Sequence, residues 1–100
     1  MPKFKEGQIV EVRCKIHPGA FPTEYLVTIE TSPQPVSGFV KRDDVHRTAG
    51  EDVGYLLGAI KEVSEDKVVV MIRGSFFTTT GLASFSQREA ESNLEPMAHG

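Results

Sequence analysis

Most of the features that assign a chain to a specialised class are missing from these 100 residues. There is one cysteine, Cys14, so no internal disulfide can form and stability must come from packing. That count fits a reducing compartment. The longest uninterrupted apolar run is the five residues from Val68 to Ile72, far short of the ~20 a spanning helix needs. The opening MPKFKEGQIV has lysines but no apolar core of a secretory signal, so a cytoplasmic location and no membrane partner are expected. There is no excess of positive charge either. The formal net charge is −3, which argues against bulk electrostatic capture of nucleic acid.

Catalytic patterns are equally scarce. No nucleophile elbow, zincin helix, Walker loop or dinucleotide fingerprint occurs, and Gly54-x-x-x-Gly58 lacks the Lys-Ser/Thr that a phosphate loop requires. Cys14-x-x-His17 offers two possible metal ligands, but a structural zinc site needs four. His46 and His99 fall in an expected loop and an expected tail. Asp43-Asp44-x-His46 could support acid–base chemistry, but aspartates there read more simply as turn formers that accept local backbone N–H bonds. A non-enzymatic protein without a cofactor or metal is expected.

What is present is alternation. In IVEVRCKI, Val10, Val12, Cys14 and Ile16 share one face, and Glu11, Arg13 and Lys15 the other: a half-buried strand. His17 to Pro22 holds two prolines and a glycine and reads as a loop. YLVTIET alternates again until Ser32-Pro33-Gln34-Pro35 breaks it. A short strand is expected around Gly38 to Lys41, then a tight turn, then a polar surface loop from His46 to Gly54. YLLGAIKEVSEDKVVVMIRG is the strongest hairpin, turning near Val63 to Lys67. After GSFFTTTG, LASF reads as another short strand. Ser86 and Glu89 match a capping box, predicting a helix from Gln87 to Ser92.

The expected fold is mainly β: a small barrel of five to seven short antiparallel strands with a short C-terminal helix. One domain over residues 1–92 and a flexible tail over 93–100 are expected.

Three stretches carry a resemblance. Phe4 to Val12 is similar to the opening strand of SH3-like barrels. Gly38-Phe39-Val40-Lys41 followed by Asp43-Asp44-Val45 resembles a piece of bacterial SH3 domains. Gly58 to Val63 with Asp66 to Val70 looks like the hairpin of KOW and Tudor-type relatives. The resemblance implies an SH3-like barrel acting as a binding module. Peptide-binding members use aromatic grooves, which makes Phe39, Tyr55 and Phe76 the candidate contacts for a protein or peptide. A KOW-like nucleic-acid surface is the alternative, through Arg13, Lys15, Lys41, Arg42 and Arg73. A self-assembling structural subunit is a third. Phe76 and Phe77 are adjacent, so a flat strand cannot bury both. A bend after Gly74 is expected to leave Phe77 in the core and Phe76 at the rim.

Overall fold

The period-two pattern becomes eight antiparallel strands in one curled sheet. The computed structural model describes residues 4–32, 34–72 and 81–97. In chain order the strands are β1 (Ile9–Pro18), β2 (Glu24–Ile29), β3 (Val36–Lys41), β4 (Val45–Thr48), β5 (Val53–Val63), β6 (Lys67–Ile72), β7 (Leu82–Ser86) and β8 (Leu94–Pro96). A single 3-10 turn, Arg42–Asp44, links β3 to β4, and the helix α1 (Gln87–Asn93) links β7 to β8. The sheet runs β3-β2-β1-β5-β6-β7, with β4 attached to β5 and β8 attached to β1. Such a half-barrel is compatible with an SH3-like barrel.

The inner face is where alternation predicts it. Val10, Val12, Cys14 and Ile16 of β1 are all buried, with Val27 and Ile29, Leu56 and Ile60, Val68 and Val70, and Phe85. β-Branched side chains dominate because they fit a pleated surface and lose little rotamer freedom there. Gly58 also lies on this face, between Val10 on one side and Ile72 on the other. A Cβ at Gly58 would lie 2.6 Å from Val70 Cγ1, so the glycine lets β5 and β6 pack their inner rows closely.

The segment after β2 reaches across to β7 and the helix. Ser32 N–H donates to the Ser84 carbonyl of β7 at 2.9 Å, and its hydroxyl donates to Glu89 at 2.7 Å. Glu89 also completes the predicted capping box. Its carboxylate accepts the Ser86 N–H at 2.9 Å, while the Ser86 hydroxyl accepts the Glu89 N–H at 3.1 Å. Ala90 then points into the core.

Two short strands correct the sequence reading. Residues 94–96 do not belong to a loose tail: they form β8 and pair with β1 through Val12↔Leu94 and Val10↔Pro96. Leu94 is fully buried there, which removes an apolar side chain from water and offsets the ordering of the backbone. Likewise His46 to Thr48 are not loop but part of β4, which pairs with β5 through Arg47↔Tyr55 and Thr48↔Gly54. The polar composition hid this strand because most of it lies on an exposed edge. Among the described residues, no helix is long and apolar enough to cross a membrane.

Candidate functional site

The outer face of the sheet carries two neighbouring features. The first is a clasp of charged groups. Glu11 belongs to the outward-facing set of β1, yet it is only 8% exposed. A bulge in β4 between Val45 and Arg47 lets His46 and Arg47, adjacent in sequence, both reach it. Arg47 Nε donates to Glu11 Oε2 at 2.8 Å and Nη2 to Oε1 at 3.0 Å, a two-pronged pairing. Nη2 also donates to Glu95 of β8 at 3.2 Å, and His46 Nε2 lies 3.6 Å from Glu11. The guanidinium lies 3.8 Å from the centre of the Tyr55 ring. Its pKa rises above the ordinary value, first through the hydrogen bond to Glu11, then through the nearby negative charges. One side chain thereby ties β4 to β1, β5 and β8.

The second feature is an apolar row beside the clasp. Strand register sets Ile9 opposite Ala59, Ala59 opposite Met71, and Met71 opposite Leu82. Met97 N–H donates to the Ile9 carbonyl at 3.2 Å and extends the row past β1. Ile9, Met71, Leu82 and Met97 are 48, 42, 39 and 36% exposed. Among the described residues, four of the six large exposed hydrophobic side chains therefore fall in one line across the sheet, the other two being Phe21 and Phe39. With strands about 4.8 Å apart, the line runs roughly 19 Å. Ile9, Leu57, Ala59 and Met71 border an open, mainly apolar depression on it.

The sequence candidates are distributed differently. Phe39 is exposed on β3. Tyr55 is half-buried on β5 beneath Arg47, three strand positions away. They do not line one groove. Arg13 and Lys15 stand together on the outer side of β1, where a shallow cleft also holds Glu30 and Asp52. Lys41 and Arg42 lie at the far end of β3, and the Arg42 guanidinium rests 4.2 Å from the centre of the Tyr25 ring. The two basic pairs are not merged into a strip. Arg73, Phe76 and Phe77 lie outside the described residues, and so does the expectation of which ring faces the core.

Cys14 is a core side chain. Its thiol donates to the Gly54 carbonyl at 3.4 Å, and burial pushes its pKa from 9.0 up to about 11. Among the described residues, no group of three or more His, Cys, Asp or Glu is arranged to hold a metal ion.

Neither the clasp nor the apolar row follows from local patterning. The only early sign of the row was a set of large apolar residues at outward positions of alternating strands: Ile9, Met71 and Leu82. No family model matches the chain, and no curated protein or solved structure is significantly similar to it.

Proposed function

We propose that this protein is a non-enzymatic interaction module that docks a protein partner on the outer face of its sheet. The observation that carries the reading is the line formed by Met97, just past β8, with Ile9, Ala59, Met71 and Leu82 on four neighbouring strands. Isolated exposed hydrophobic residues are common on soluble proteins, but a contiguous row is the usual mark of a contact surface. Methionine at two of the five positions suits such a surface, since its unbranched thioether adapts to a partner's shape. The SH3-like resemblance supports a binding role by analogy alone. The contact residues differ from those the resemblance implies, because Phe39 and Tyr55 lie apart.

The Glu11–Arg47–Glu95 clasp supplies a charged border on one side of the row. These charges are already paired internally, so they shape the rim and leave apolar contact as the source of affinity.

A photo-crosslinking residue placed at Met71, in the cell that makes the protein, tests the reading. A partner recovered there is purified and titrated against the wild-type chain and against Met71→Glu. The expected loss is about 30-fold in affinity, equivalent to a hot-spot contact of ~2 kcal/mol, with an unchanged melting temperature. Equal crosslinking from Lys15, or an affinity unaffected by Met71→Glu, would refute it.

A further inference from the structure

The β3 strand ends the sheet. It pairs with β2 from Ile29↔Val36 to Glu24↔Lys41, and among the described residues no strand pairs with its other edge. The opposite end of the sheet is treated differently, because the Ser32 N–H meets the Ser84 carbonyl on β7. An open edge presents backbone N–H and C=O groups at strand spacing, and the chemical complement of that array is another extended strand.

Proteins usually blunt such an edge with proline, a bulge or a charge in mid-strand. The run Val36-Ser37-Gly38-Phe39-Val40 has none of these. The charge comes at the end, on Lys41, and a 49% exposed Phe39 stands in the middle.

We infer that β3 pairs antiparallel with β3 of a second copy of this chain, about a two-fold axis at Phe39. Residues directly opposite each other in an antiparallel pair point to the same side of the sheet, which restricts the register to steps of two. With the axis at Phe39, that ring faces Phe39 of the second copy, Ser37 faces the other Lys41, and Gly38 faces the other Val40. Each feature is self-complementary. The rings form a cross-strand aromatic pair, each ammonium meets a hydroxyl instead of its own copy, and the branched valine sits beside a glycine. A slip of two residues in either direction sets Phe39 against Ser37 or Lys41 and loses the aromatic pair. Both outer faces then lie on the same side of one continuous sheet.

The 100-residue chain is run on size exclusion with light scattering over a dilution series. The mass is expected to climb from 11.0 kDa towards twice that value as concentration rises. Phe39→Cys should form a disulfide-linked dimer under mild oxidation, since opposed residues have Cα atoms about 4.5–5.5 Å apart, within disulfide range. Ser37→Cys alone should not crosslink, whereas a mixture of Ser37→Cys and Lys41→Cys should. Phe39→Lys places two ammonium groups face to face and should abolish the dimer with the melting temperature little changed, as the ring is half exposed. Circular dichroism checks that each variant is folded.

A mass that stays at 11.0 kDa at the highest soluble concentration overturns the inference. So does a dimer that survives Phe39→Lys, or Ser37→Cys crosslinking as readily as Phe39→Cys. A monomer that binds a free β3 peptide would assign the edge to heterologous strands and overturn it too. The edge and the apolar row are separate surfaces, so failure here leaves the docking proposal standing.

Discussion

Replacing Gly58 by alanine tests the close packing at the centre of the sheet. Alanine in a strand ordinarily gains ~0.5–1 kcal/mol over glycine, because the unfolded chain has less freedom to lose. Here the new methyl would meet Val70 Cγ1 at 2.6 Å, the Met71 carbonyl oxygen at 3.1 Å and Val12 Cγ2 at 3.5 Å. Carbon atoms rest at about 3.5–4.0 Å, so the overlap with Val70 is roughly 1 Å. Val70 is fully buried and stiff about χ1, and the Met71 carbonyl belongs to the backbone of β6. Neither neighbour moves without disturbing the ladder. Overpacking of this kind costs about 1–3 kcal/mol, which outweighs the entropic gain and leaves a net loss of about 1–2 kcal/mol. For a domain of this size the melting temperature should fall by about 5–15 °C, followed by far-UV circular dichroism. Val70→Ala removes the methyl that clashes. In the double variant the two costs should be less than additive, by about 0.5–3 kcal/mol. A Gly58→Ala protein as stable as wild type, or strict additivity in the cycle, would refute the packing argument.

Other expectations concern the helix, the thiol and the two surfaces. Ser86→Ala removes one half of the capping box and should cost about 1 kcal/mol in urea denaturation. Glu89 has its pKa lowered from an ordinary value of 4.5, first by the Ser86 N–H and then by the Ser32 hydroxyl. A lowered pKa means that this stabilisation is complete above the unfolded value and is lost as pH falls through the folded one. The stability gap between wild type and Glu89→Gln should therefore be full at neutral pH, start to narrow below about pH 4.5 and vanish only below the lowered folded value; a gap that persists in stronger acid contradicts the assignment. With its pKa at about 11, Cys14 should ignore a thiol reagent at pH 8 until the chain is unfolded, and rapid native labelling would show that the strand opens readily. Met71→Glu should weaken the docked partner about 30-fold, and Phe39→Lys should abolish the dimer, each without unfolding the chain.

Strand formation and the helix cap were legible in the chain because both depend on near neighbours. Alternation at Val10, Val12, Cys14 and Ile16 needs only the pleat to place four side chains on one face. The Ser86–Glu89 box needs only a first helical turn. Glu11 shows where such reasoning stops. Its position in an alternating strand reads as solvent-exposed, yet Arg47, 36 residues along the chain, covers and neutralises it. The bulge that permits this has no residue signature in Val45-His46-Arg47.

Leu94 and Met97 make the same point at the C-terminus. Proline and polar neighbours suggest a tail, and only pairing with β1 makes one residue core and the other part of a surface. A mainly-β chain, its inner face and its short helix can be read from the residues alone, since local sterics and hydrogen bonding settle those. Register between distant strands decided the rest. It lined up Met97, Ile9, Ala59, Met71 and Leu82, separated Phe39 from Tyr55, and left β3 at the margin. Each of these is a relation between segments that no local rule connects, and it exists only once the strands have paired.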